Sequence, residues 1–210
     1  MTERPLRKEL SKKNLSSKGV PNHFFDTTID DFETYDNDTL TKAKRIITEY
    51  LDNLPVHRRN GDGLYLCGSN GVGKTMLSSI IVKEAYRHRY SSKRITFVEY
   101  IDQYTKIWKA KTVEEKEELE DQFYSYIKAV DFLVLEEVGK ESTPRDMAVT
   151  ILEDCLRYRE EHGLCTIIVA NLYLKDLIGQ KYQSASVESL IRGHTKLVKI
   201  IGIDRRVNKQ

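Results

Sequence analysis

The chain has 210 residues, enough for one substantial domain with an appendage. At 40% hydrophobic and 31% charged its composition is that of an ordinary globular protein, and no apolar run is long enough to cross a bilayer, so no membrane partner is expected. The net charge is only +2 but is unevenly spread: basic ends flank an acidic stretch and a near-neutral middle, which allows nucleic-acid contact without requiring it.

Residues 1–20 hold six Lys/Arg against two Glu and few large apolar groups. They read as a flexible basic arm for partner docking, with Leu6, Leu10 and Leu15 near helical spacing. The opening MTERPLRKELSKK has no apolar centre and is not expected to be a secretory signal. Residues 21–210 are expected to form the folded domain. Acids crowd 26–38, with six Asp/Glu and no Lys/Arg. From 39 to 54 the residues Leu40, Ala43, Ile46, Ile47, Tyr50, Leu51 and Leu54 make a helical stripe, and Pro55 reads as its stop, with a loop over 56–62.

GLYLC, 63–67, reads as a buried strand, and GSNGVGKT follows it at 68–75. The spacing Gly68-x-x-x-x-Gly73-Lys74-Thr75 suits a phosphate chain. The backbone from Gly68 through Ser69, Asn70, Gly71, Val72 and Gly73 can turn its N–H groups toward an anion. Lys74 reaches the outer phosphates, and the Thr75 hydroxyl can hold Mg²⁺. Met76, Leu77, Ile80, Ile81 and Ala85 then recur at helical spacing, so strand, glycine loop and helix stand in the order a P-loop requires. Lys83, Arg87, Arg89, Lys93 and Arg94 leave this helix and could track nucleic-acid phosphates, with Tyr104 or Trp108 nearby to stack bases.

ITFVE, 95–99, reads as a second strand. TVEE, 112–115, is a capping box opening a charged helix to about Val130. FLVLE, 132–136, is a third strand that runs into two acids. Glu136 is placed to hold Mg²⁺ through water, and Glu137 to take the proton of an attacking water as general base; the pair favours hydrolysis over a kinase. Thr143-Pro144 starts a helix that Gly163 ends, and CTIIVA, 165–170, is a fourth strand. Asn171 at its end can orient water beside the outermost phosphate, or cap the helix that follows. KLVKII, 196–201, is the fifth strand. Apolar strands alternating with helices predict an α/β fold, a parallel sheet covered on both faces. Cys67, Cys155 and Cys165 lack metal-ligand spacing and lie in apolar contexts, which suits buried thiols in a reducing, cytoplasmic compartment.

GSNGVGKT, FLVLEEVG and TIIVANL resemble the Walker A, Walker B and sensor 1 segments of AAA+ ATPases. The lead-in GVPNHFFDTTIDDF (19–32), ITFVEYIDQY and YREEHGLCTIIVANL, with Arg159, narrow the likeness to the DnaC/DnaI helicase loaders and the related IstB transposition ATPases. It covers roughly residues 19–206. The resemblance implies a P-loop NTPase of the ASCE, AAA+ type with little or no separate lid domain. It implies ATP and Mg²⁺ as ligands, a homo-oligomeric ring or spiral, contact with single-stranded DNA, and a hexameric DnaB-like replicative helicase as client. The alternative it carries is an IstB-like DNA-targeting regulator that binds duplex DNA. Two departures stand out. Glu136 replaces the usual Asp of Walker B, and the usual arginine-finger position holds Ser189 or Leu190. Arg192 is then the nearest substitute finger, and Arg206 matches the later arginine of the C-terminal block.

Overall fold

Strands that are apolar on both faces need helices on both sides, and the computed structural model, which describes residues 11–205, has that arrangement. Strands β1 (Gly63–Cys67), β2 (Ser92–Thr96), β3 (Phe132–Val138), β4 (Cys165–Ala170) and β5 (Thr195–Lys199) form one sheet. Its order is β2-β3-β4-β1-β5, and every pairing is parallel. Side chains alternate between two cores. Leu64, Leu66, Ile167 and Val169 face one layer, with helices α2 (Asp38–Asp52) and α4 (Lys74–Arg87). Tyr65, Cys67, Ile168 and Ala170 face the other, with α5 (Phe97–Trp108), α6 (Val113–Phe123), α7 (Arg145–Glu161) and α9 (Ala185–His194). All three cysteines are free and buried.

Several boundaries differ from the sequence expectation. Pro55 does not close the chain into a loop: it sits in the first turn of a new helix, α3 (Leu54–Asn60), where its missing N–H costs nothing. The 95–99 run is only half strand. Thr96 caps α5 through a reciprocal capping box with Glu99, so Phe97 onward is helical. The apolar run concealed that signal. The charged helix gives way at Tyr124 to one π-helical turn, Tyr124–Lys128. A short helix α8 (Leu174–Asp176) and a π-helical turn (Leu177–Tyr182) precede α9; the sequence offers a helix from 172 onward only as an alternative and does not mark these three elements.

The second half of the expected arm is seated on the domain. Helix α1 (Lys12–Ser17) buries Leu15, and both Leu15 and Val20 join the first core. Leu6 and Leu10 lie outside the described residues.

Arg159 is fully buried. Its guanidinium donates to Thr166 Oγ1 and to the carbonyls of Lys128, Val130 and Cys165. It ties α7 to the starts of β3 and β4.

Candidate functional site

The strand order decides what meets the glycine loop. β4 lies between β1 and β3, so the ends of all three open onto one cavity of about 840 Å³. Asn70, Gly71, Gly73, Lys74 and Thr75 line it from the loop and helix N-terminus, Glu136 and Glu137 from β3, and Asn171 from β4. Helix α4 begins at Lys74, which points the N–H groups of its first turn toward this space.

Within the loop the side chains divide by role. Lys74 is nearly buried, and its ammonium donates to the carbonyls of Gly68 (2.7 Å) and Ser69 (2.6 Å) at the cavity floor. Val72 turns away into the first core and anchors the loop from beneath. Gly73 has φ +102, and a Cβ there would meet the Phe32 ring at 2.8 Å, so the close approach of the lead-in to the loop requires glycine.

The two glutamates do separate, though not by simple strand alternation. The pairing of β3 with β4 slips between Leu135 and Val138, and Glu137 has φ 60. This bulge keeps Leu135 and Val138 in the same core while Glu137 turns out to solvent. Glu136 is buried at 2% exposure, with Oε2 3.4 Å from Thr75 Oγ1 and Oε1 accepting from Ser78 Oγ. Glu137 is half exposed and pairs with Lys140 at 3.0 Å. Asn171 does not cap a helix. Tyr173 holds that position before α8, and Asn171 Nδ2 donates to Asn70 Oδ1 at 2.9 Å, bridging β4 to the glycine loop.

Two walls of the cavity come from outside the motifs. The lead-in supplies His23, Phe24, Asp31, Glu33 and Tyr35, and the C-terminal segment supplies Ile203 and Arg205. Arg205 is the arginine that the C-terminal segment brings to this wall. Its guanidinium lies 4.3 Å over the Phe32 ring, and its backbone N–H donates to the Gly71 carbonyl. Arg206 lies outside the described residues. Arg192 does not reach the cavity: it is exposed on α9 and pairs with Glu188 at 2.7 Å. It sits just before β5, whose first residue pairs with Gly63 at the start of β1, so it is at the opposite end of the strands from the loop.

Four of the basic residues expected to track phosphates have partners within the chain. Arg87 pairs with Glu84, Lys93 donates to the Ser17 carbonyl, and Arg94 pairs with Glu136. Lys83 is buried and donates to the carbonyls of Phe24, Phe25 and Thr27. Burial pulls its ammonium down to about 8. It is thus the pin that holds the lead-in wall onto the P-loop helix. Replacing it, Lys83→Met, strands buried carbonyls without a donor. We expect a loss of about 2–3 kcal/mol of stability, read as a lower urea midpoint with unchanged slope, and weaker nucleotide binding. An unchanged midpoint would show that the lead-in is held by its apolar contacts alone.

Comparison with known proteins agrees with this architecture. The Bacillus subtilis (strain 168) replicative helicase loader DnaI is 29% identical over 111 residues, which is 53% of this chain and 33% of that protein. The chain thus spans about a third of the length of this curated relative. A crystal structure of DnaI superposes with a TM-score of 0.65 at 26% identity, covering 90% of this chain and 99% of that one. A crystal structure of the DnaC helicase loader gives 0.71 at 21% identity, with 86% and 99% covered, and so shares the fold. Among the described residues no helix is long and apolar enough to cross a membrane. The model of the IstB-like ATP binding protein family matches residues 16–202, which include the glycine loop, both glutamates and Asn171: the chain belongs to that family of P-loop, AAA+ ATPases.

Proposed function

We propose that the protein is an ATP-dependent loader that places a hexameric replicative helicase on single-stranded DNA, binding and hydrolysing ATP as a homo-oligomer. The observation that carries this proposal is the likeness to DnaI, which extends over 90% of the chain and so well beyond the Walker motifs.

The residues at the cavity fit a magnesium–nucleotide complex. Thr75 Oγ1 and Glu136 Oε2 are hard oxygen donors 3.4 Å apart. Among the described residues no group of three or more His, Cys, Asp or Glu could cage an ion, so nucleotide oxygens and water would complete the shell. When bound, Mg²⁺ supplies charge neutralisation on the outer phosphates. Lys74 neutralises the same oxygens from the floor. Glu137 takes the proton of the water that attacks the terminal phosphorus, while Asn171 orients that water against the glycine loop. The bond to the bridging oxygen breaks, and ADP leaves with its electron pair.

No part of α9 completes this site within one chain, so Arg192 serves only if a neighbouring copy presents it. Turnover per subunit should then rise with protein concentration, and Arg192→Ala should cost roughly 10³-fold. Unchanged turnover in the assembled variant would pass the role to Arg205 or Arg206. Exposed Trp108, packed edge-on to Tyr104, is the aromatic surface we assign to single-stranded DNA.

The family match favours a second reading, an IstB-like regulator that binds duplex DNA. Co-purification with a replicative helicase in the presence of ATP, together with single-strand preference at moderate salt, is the outcome expected of a loader. Filament formation on duplex DNA without helicase capture would overturn it in favour of the regulator.

A further inference from the structure

A glutamate at the end of the Walker B strand has one more rotatable bond than the usual aspartate, so its carboxylate needs an anchor to hold one orientation. Glu136 has two, both on Oε1. Ser78 Oγ donates to it from α4, and Arg94 Nε donates to it from β2 at 3.1 Å. The other oxygen, Oε2, remains directed at Thr75.

Arg94 is tied on its far side as well. Its NH1 donates to the Gly19 carbonyl at 2.9 Å, and its backbone N–H donates to the Lys18 carbonyl at 2.8 Å. The chain approaches so closely there that a Cβ on Gly19 would lie 2.0 Å from the Arg94 carbonyl oxygen. Gly19 also has φ +79, which favours glycine. The segment that follows α1 is therefore strapped across the outer edge of β2, directly behind the carboxylate.

We propose that Arg94 is a positioning residue for Glu136 and that it couples the seating of residues 12–19 to metal–nucleotide binding. This rests on the P-loop cavity being a magnesium–nucleotide site. The guanidinium is a planar fork, so one arm can hold Oε1 while another holds the Gly19 carbonyl. Anything that lifts the N-terminal segment loosens one arm and with it the set of the carboxylate. By reciprocity, metal–nucleotide binding tightens the segment by the factor by which the seated segment tightens the metal.

The test compares parent, Arg94→Ala, Arg94→Lys and Ser78→Ala by fluorescent ADP binding, first in EDTA and then across a Mg²⁺ titration. Amide exchange at residues 12–20 is followed alongside. With Arg94→Ala we expect affinity in EDTA to fall by less than affinity in Mg²⁺, the Mg²⁺ half-saturation point to rise on the order of 10-fold, and exchange at 12–20 to accelerate. Arg94→Lys should recover only part of either effect, because a compact ammonium lacks the planar fork whose separate nitrogens reach Glu136 and the Gly19 carbonyl. Ser78→Ala removes the other anchor of Oε1 without touching Gly19, and should shift the Mg²⁺ titration the same way while Arg94 still holds the segment. A Mg²⁺ titration of Arg94→Ala that overlays the parent, or moves to lower Mg²⁺, overturns the proposal, as does an unshifted Ser78→Ala. Failure of the parent itself to bind ADP would instead remove the nucleotide-site assignment beneath it.

Discussion

Glu137→Gln should bind ATP as the parent does and hydrolyse it about 10²–10⁴-fold more slowly, the range that a positioned general base contributes. The amide has the same shape and still accepts a hydrogen bond, but it cannot take the proton of the attacking water. The substitution also removes the charge that pairs with Lys140. That pair is solvent-exposed on both sides, so its loss should change stability by roughly 0–1 kcal/mol. The bulge that turns Glu137 outward is a backbone feature and does not depend on the charge. Single-turnover hydrolysis and equilibrium nucleotide binding, measured on the same preparation, separate the two effects. Normal hydrolysis by Glu137→Gln together with loss in Glu136→Gln would exchange the roles of the two acids.

Lys74→Ala should lose nucleotide binding or turnover on the order of 10³-fold, comparable to removing one strong electrostatic partner from a preorganised anion site. Its ammonium sits on the cavity floor, held by the carbonyls of Gly68 and Ser69, and among the loop residues it carries the one full positive charge. Without it, phosphate is left with backbone N–H groups and the helix N-terminus, whose attraction falls off within the first turn. The parent should gain thermal stability when ATP or ADP is added, by mass action on the folded state, and the variant should not. Full ATPase activity in Lys74→Ala would show that the cavity is not the catalytic site.

Much of this was legible along the chain because the signals are local. Residues 68–75 announce a phosphate loop because a tight turn needs glycine and an anion needs a cation at a set distance along the backbone. FLVLEE announces a buried strand ending in acids because four apolar residues have nowhere to go but a core. The differences are local as well. At Pro55 and over 95–99 a helix-starting signal lies inside or beside an apolar run, so that Thr96 and Glu99 look like strand residues rather than a cap.

The sequence by itself determined the fold class, the P-loop, and the identity of the two acids and the amide that face it. Each of these depends on neighbours within a few residues. Only the tertiary structure decided which charges are free to act. Lys83 and Arg94 look like surface cations in the chain, yet Lys83 pins the lead-in and Arg94 holds Glu136. Arg192 and Arg205 lie only 13 residues apart, yet β5 carries the chain between them from one end of the strands to the other, so Arg205 lines the cavity and Arg192 cannot. The reason is that a charge is buried only where the fold supplies acceptors for it, and here those acceptors are backbone carbonyls and a carboxylate distant in sequence.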